Sequence, residues 1–368
     1  VTDKPGSLTT PATISLCMIV KNEEAVIGRC LASVQDIVDE IIIVDTGSSD
    51  QTKEIVKQYT DKIYDFEWIH DFAAARNYAF SLATQDYILW LDADDVLLQA
   101  DKVKFQELKK TLSADVDAVS MFYNLAVNSQ GIVSSRLRRN RLVKRAKGFK
   151  WIGAVHEYVE VYGNIVSSDV AVTHQPLEHD ADRNLKIYEQ RLRKGEVFSP
   201  RDLYYFANEL KDHGLLNRAI EYYQKFLATN QGWVEDNIGA CGKLSDCFFE
   251  LNDDENKLKY IYLSFNYDTP RAEFCCRLGF HHLNANRIKQ AIFWYKVATE
   301  LEKPTENWGL VSYDCWTWLP HIQLCVCYSR VGQFDLANKH NELAGKYIPN
   351  DPRIQHNRNY LKNLLSKS

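Results

Sequence analysis

The sequence predicts an α/β domain with a mainly parallel, doubly wound sheet, followed by an all-α domain of stacked helix pairs. Three observations predict it. Short apolar runs alternate with helical patterns through the first half of the chain. One such run, Tyr87, Ile88, Leu89, Trp90, Leu91, ends abruptly in Asp92, Ala93, Asp94, Asp95. Beyond residue 182 the pattern is helical throughout and repeats itself. Strand–helix alternation implies a parallel sheet, and repeating small and large residues imply stacked helix pairs.

Taken in order, residues 1–12 contain Pro5, Gly6, Ser7 and Pro11 and read as a flexible lead without a signal-peptide pattern. The α/β domain then spans 13–182 and the repeat domain 183–368. Residues 14–20 form a strand. Residues 23–34 carry Ile27, Leu31 and Val34 at helical spacing. Residues 40–44 are a second apolar strand, and Asp45 to Asp50 is the turn after it, with Ser49 or Asp50 placed to cap a helix starting near Thr52. Residues 62–64 are a third strand, 71–82 a helix, and 87–91 the strand that delivers the acids to the carboxyl edge of the sheet, where open α/β folds bind ligands. Residues 116–126 and 159–172 are rich in β-formers and read as antiparallel additions that build the second half of a pocket. Between them lies a basic run of Arg136, Arg138, Arg139, Arg141, Lys144, Arg145 and Lys147. It reads mostly as a solvated face or loop, or else as a segment closing over a diphosphate or meeting an acidic acceptor.

In the helical half, Leu203, Phe206, Ala207, Leu210, Ala219 and Tyr223 recur in type and spacing as Cys275, Leu278, Gly279, His282, Ala291 and Tyr295. A further unit runs through Leu324, Cys325, Tyr328, Ala337, Ala344 and Pro349, and a degenerate one fits at about 243–264. These resemble tetratricopeptide repeats, although the first-helix Trp is absent.

Composition is that of an ordinary globular protein: 45% apolar and 25% charged residues over 368 positions. A net charge of −5 gives no general attraction to nucleic acid or anionic membrane. No apolar run approaches the roughly 18 residues a membrane span needs. The nine cysteines lack C-x-x-C spacing, so they predict packed thiols in a reducing, cytoplasmic setting rather than a zinc site.

Four segments carry a family resemblance: Ser15 to Glu23 (SLCMIVKNE), Ile43 to Asp50 (IVDTGSSD), Ala75-Arg76-Asn77, and Leu91 to Asp95 (LDADD). Together and in this order they resemble family 2 glycosyltransferases of the GT-A, Rossmann-like fold. Gly153-Ala154-Val155-His156-Glu157, with His174 and the helical repeats, resembles the branch of sublancin-type S-glycosyltransferases that modify bacteriocin peptides.

The resemblance implies a UDP-sugar donor, with Mn2+ or Mg2+ between the diphosphate and the acids. It assigns donor binding to Ile19, Lys21, Asn22, Glu23, Asp45, Thr46, Arg76, Asp92 and Ala93. Asp45 would accept a hydrogen bond from the base or ribose, or else satisfy its own turn. Thr46 departs from the second Asp of many relatives. Arg76 would pair with the diphosphate or a pocket carboxylate. Asp92 would face the ribose, and Asp94 the metal. Asp95 would cap the segment after it. His174 would complete the metal shell, with His156 and then His179 as competitors. Glu157 is the expected catalytic base, alongside Asp94, in an inverting transfer. Trp151 would stack on the sugar or fill the core.

The expected function is transfer of a sugar to a peptide or protein side chain (Ser, Thr or Cys). The alternative is a polysaccharide, lipid-linked or cell-surface glycan acceptor, with the repeats pairing two copies into a homodimer. A scaffold that has lost catalysis is the third reading, and the intact Asp92 and Asp94 argue against it.

Overall fold

The computed structural model describes residues 11–127, 133–176, 182–302 and 312–365. Most of the lead, and His179, lie outside these. The chain divides between Val197 and Phe198 into two compact units.

The first unit is built on an eight-stranded sheet. Strands β1 (Ile14–Val20), β2 (Glu40–Asp45), β3 (Ile63–Asp65) and β4 (Tyr87–Trp90) run parallel in the order β3-β2-β1-β4. Helices α1 (Ile27–Val34), α2 (Thr52–Val56) and α3 (Phe72–Leu82) connect them. Because side chains alternate across a strand, each run feeds two cores. Leu16, Met18, Ile41, Ile43, Tyr87 and Leu89 pack with α1 on one face. Cys17, Ile42, Val44, Ile88 and Trp90 pack with Ala79 and Phe80 of α3 on the other. Burial on both faces is why these strands read as continuous apolar runs rather than alternating ones.

Past β4 the sheet continues through β5 (Asp95–Val96), β6 (Ala118–Val127), β7 (Val133–Lys144) and β10 (Ile165–His174), in the order β4-β7-β6-β10-β5. β7 is antiparallel to both β4 and β6, β10 is parallel to β6, and β5 is antiparallel to β10. Helix α4 (Gln99–Thr111) and a separate ribbon of β8 (Lys150–Ile152) and β9 (Tyr158–Glu160) complete the additions.

Two expectations are corrected. The helix expected from residue 23 begins at Ile27, because the Glu23 carbonyl accepts from the Val26 and Ile27 amides in a preceding turn. The basic run is neither loop nor solvated face over most of its length. It is the central strand β7, in which Arg138 and Arg141 are 5% and 0% exposed. For Arg141, aromatic rings and a carboxylate compensate that burial.

Helix α5 (Arg183–Arg193) precedes the division at Val197, so helical character begins before the second unit does. The second unit stacks α6 (Pro200–Asp212) on α7 (Leu216–Ala228), α8 (Val234–Glu250) on α9 (Asp254–Ser264), α10 (Ala272–Asn284) on α11 (Ile288–Glu300), and α12 (Trp318–Arg330) on α13 (Phe334–Gly345). Helix α14 (Pro352–Leu365) comes last. Ser199 and Asp202 close a capping box at the start of α6. The degenerate unit begins at Val234, earlier than its repeat pattern reveals. Ala219, Ala291 and Ala337 are fully buried where the pairs cross. Among the described residues no helix is long and apolar enough to cross a membrane.

Gly279 shows why small residues recur at one repeat position. A Cβ there would lie 2.7 Å from the ring of Tyr295, itself 1% exposed. Overpacking costs about 1–3 kcal/mol, whereas Gly to Ala inside a helix gains only about 1 kcal/mol. Gly279→Ala is therefore expected to destabilise the helical unit by about 1 kcal/mol net in a denaturant melt. An unchanged or raised midpoint would mean that the Tyr295 ring yields freely.

Candidate active site

The turn after β4 folds back on itself. Asp95 Oδ2 accepts from the Asp92 amide at 3.0 Å, and the Asp95 amide donates to the Asp92 carbonyl at 3.1 Å. That turn starts β5, whose pairing with β10 sets His174 opposite Asp95, and the Gln175 amide donates to the Asp94 carbonyl at 2.9 Å. Strand pairing thus delivers a histidine to the acids.

His174 Nδ1 lies 3.4 Å from Asp94 Oδ1, 3.5 Å from Asp95 Oδ1 and 2.9 Å from the Tyr123 hydroxyl. Burial works against the imidazolium, but Asp94 and Asp95 outweigh it and raise the His174 pKa to about 10. Asp94, Asp95 and His174 each offer a ligand atom, all within 4.8 Å of one another. Asp95 Oδ1 is buried and has no hydrogen-bond partner. Two carboxylates and an imidazole, with one carboxylate oxygen unsatisfied, suit a divalent cation of the Mg2+ or Mn2+ kind. Among the described residues, this group brings in His174 and Asp95, not His156. The sequence assigns Asp95 only a capping role. The signal that could have found it is its place directly after Asp94, on a turn too tight to let a third acid point away.

A second cluster adjoins the first. Asp71 caps α3, accepting from the Ala74 amide, and α3 then presents Arg76. Arg76 Nη2 donates to Asp92 Oδ1 at 2.6 Å and Nε donates to Glu157 Oε1 at 2.5 Å. Its guanidinium lies 4.7 Å from the Trp151 ring and 5.2 Å from Trp90. Burial disfavours the Arg76 cation, yet Asp92 and Glu157 outweigh that and hold it charged. Burial likewise pushes the Asp92 pKa up, and Arg76, Arg141 and His174 pull it down to about 2. Of the two partners expected for Arg76, the structure shows the pocket carboxylates. Glu157 sits in the turn between β8 and β9, which opens with Gly153 at φ +98° and holds His156 at φ +51°. Trp151 is a core residue, packed edge-on against Trp90 and Phe80.

The ends of β1 and β2 carry the remaining expected residues. Asp45 Oδ1 accepts from the Gly47 and Ser48 amides, both at 2.8 Å, and Lys53 Nζ lies 3.7 Å away. Asp45 Oδ2 is buried without a partner. One oxygen of Asp45 is thus a turn acceptor, and the other is unsatisfied. The Thr46 amide and hydroxyl both donate to the Val20 carbonyl. Asn22, at φ +55°, donates through its amide to Ser48 Oγ and accepts from the Ser49 amide, and the Glu23 amide donates to Thr52 Oγ1. Asn22, Glu23 and Thr46 therefore knit the two loops together. Lys21 is exposed, Ile19 half-buried against the α3 side, and Ala93 buried.

Sequence reasoning missed Arg141 and Tyr123. Arg141 Nη1 lies 3.0 Å from Asp95 Oδ2, with both side chains fully buried. Its guanidinium lies 3.9 Å from the ring of Trp90 and 4.4 Å from that of Tyr123.

Residues 15–160 match the model of glycosyl transferase family 2. Over 150 residues the chain is 39% identical to a tetratricopeptide-repeat-containing protein of Synechococcus elongatus, covering 40% of this chain and 36% of that one. Over 235 residues it is 31% identical to the SPbeta prophage-derived glycosyltransferase SunS of Bacillus subtilis, covering 58% of this chain and 54% of that one. Over 164 residues it is 30% identical to the lipopolysaccharide core biosynthesis glycosyltransferase LpsC of Rhizobium meliloti, covering 41% and 58%. The chain thus spans 36% and 54% of the lengths of the first two relatives.

Proposed function

With residues 15–160 as a family 2 glycosyltransferase domain, we propose that the chain is a metal-dependent inverting glycosyltransferase. It moves a sugar from a UDP-sugar to a Ser, Thr or Cys side chain of a peptide or protein. The observation that carries this reading is the Asp94, Asp95 and His174 cluster at the end of β4, beside the Arg76, Asp92 and Glu157 network.

The unsatisfied Asp45 oxygen takes the base or ribose, at the carboxyl edge where open sheets receive nucleotides. Arg76 fixes Asp92 and Glu157 relative to each other. Asp94, Asp95 and His174 hold Mn2+ or Mg2+, which when bound supplies positive charge against the departing diphosphate. Glu157 takes the acceptor's proton as the hydroxyl or thiol attacks the anomeric carbon from the face opposite the diphosphate. The helical repeats offer the extended surface that suits a peptide. The nine buried thiols fit a reducing, cytoplasmic setting. A glycan acceptor is the second reading, favoured by the similarity to a lipopolysaccharide core transferase.

Thermal melting with UDP, with Mn2+, and with both tests the donor half. Ligand at 100 times its Kd stabilises by about 2.7 kcal/mol, so UDP with Mn2+ is expected to raise the midpoint by several degrees beyond either alone. Equal midpoints in all conditions would remove the reading. Mass spectrometry of peptide and glycan acceptors then separates the two acceptor classes.

A further inference from the structure

Arg141 is among the largest fully buried side chains of the described residues, at 0% exposure on a central strand. A buried guanidinium is costly unless its surroundings compensate it. Here the compensation consists of parts of the candidate cation site. Nη1 pairs with Asp95 Oδ2 and also donates to the Trp90 carbonyl at 3.3 Å, two residues before Asp92. The guanidinium lies over the rings of both Trp90 and Tyr123. Tyr123 in turn holds His174 Nδ1 at 2.9 Å through its hydroxyl. Nε and Nη2 have no hydrogen-bond partner among the described residues, so every contact named for Arg141 leads toward the acid turn or toward His174.

We propose that Arg141 is a positioning residue for the cation site, acting on Asp95 directly. The inference rests on the metal-dependent reading of this site. With Oδ2 of Asp95 engaged by Arg141 and by the Asp92 amide, its Oδ1 is the oxygen left beside Asp94 and His174. Outer-shell partners that orient ligands in this way are worth about 10–100-fold in metal affinity.

The sign of the effect separates positioning from simple charge. A positive group near a cation repels it, so Arg141 acting only as a charge would weaken cation binding, and its removal would tighten it. Arg141 acting as a clamp does the reverse. The test is Mn2+ affinity in the presence of saturating UDP, measured by calorimetry on the full chain for wild type, Arg141→Met, Arg141→Lys and Tyr123→Phe. The Lys variant keeps the charge but loses the planar fork and its stacking. The Phe variant keeps the ring beneath the guanidinium and loses only the hydroxyl on His174.

Arg141→Met and Arg141→Lys are expected to weaken Mn2+ binding by about 10–100-fold, whereas Tyr123→Phe, which leaves Arg141 on Asp95 and the ring in place, is expected not to weaken it. Where Arg141→Met does not fold, Arg141→Lys carries the test, because its charge is unchanged and any loss of affinity reports geometry. A purely structural role would lower the melting temperature while the folded protein kept wild-type Mn2+ affinity. Unchanged or tighter binding in Arg141→Lys overturns the inference and leaves the glycosyltransferase reading standing. A wild-type chain that takes up no Mn2+ with UDP overturns both.

Discussion

Asp94→Ala is expected to remove metal-dependent donor hydrolysis and transfer, lowering the rate by at least about 10²–10³-fold. It should also abolish the extra melting shift given by Mn2+ with UDP, while the protein stays folded. The prediction singles out Asp94 because the three acids of the turn are not equivalent. Asp92 is one of the two carboxylates that hold buried Arg76. Deleting it leaves a buried guanidinium only half compensated, which is expected to weaken the fold. Asp95 is the partner of fully buried Arg141 and closes the turn onto the Asp92 amide. Loss of activity in either variant would therefore mix a damaged fold with a damaged site. Asp94 lies 3.4 Å from His174, whereas the ion pairs of Arg76 and Arg141 run to Asp92, Glu157 and Asp95. If Asp94→Ala transfers sugar at the wild-type rate with Mn2+, the cation is not held at this turn.

The legibility of the fold depends on where burial comes from. Strands β1, β2 and β4 are buried on both faces by helices, so their residues had to be apolar in succession, and their limits could be read almost to the residue. The start of α1 could not. Glu23 to Val26 has helical composition, but the chain first turns to let Asn22 and Glu23 reach the loop after β2. In the repeats, Ala219, Ala291 and Ala337 mark helix crossings and are visible as small residues at a fixed place. Helix α8 lacks the sharp pattern and hid the start of its own repeat.

The site divides along the same line. His174 is legible because a histidine closing a β-rich segment lands at a sheet edge, and pairing of β10 with β5 then sets it opposite Asp95. Strand β7 was not legible, because Arg136, Arg138, Arg139 and Arg141 within a dozen residues mimic a solvated surface. What buries Arg141 is a long-range arrangement: a ring from β4, a ring from β6 and a carboxylate from the acid turn. No local pattern announces such a set. Asp45 shows why its two readings were hard to separate, since a turn acceptor and an unsatisfied oxygen coexist on one carboxylate.

Glu157→Gln is expected to reduce sugar transfer by about 10²–10⁴-fold, the usual contribution of a positioned base, with UDP and Mn2+ binding retained. The substitution suits the geometry. Arg76 Nε donates to Oε1 of Glu157, and the carboxamide oxygen of Gln can accept the same bond, so the loop carrying residue 157 keeps its anchor. What Gln cannot do is take a proton. The competing role for Glu157 is to hold Arg76 in place, and it makes a different forecast. An anchor that becomes neutral leaves the buried Arg76 cation with Asp92 as its one charged partner among the described residues, which would shift donor affinity and stability while the rate at saturating donor changed little. The division between kcat and donor KM therefore distinguishes the roles. A fall in kcat with unchanged KM assigns proton removal to Glu157. A rise in KM for the donor, with kcat within a few-fold of wild type, makes Glu157 the mount for Arg76 and moves the search for the base elsewhere in the pocket. Arg76→Met serves as the control for the second outcome. It strands Asp92 and Glu157 together without the counter-charge they share, and is expected to cost about 3–5 kcal/mol of stability as well as donor binding, read as a lowered melting midpoint that Glu157→Gln shares in part only under the second outcome.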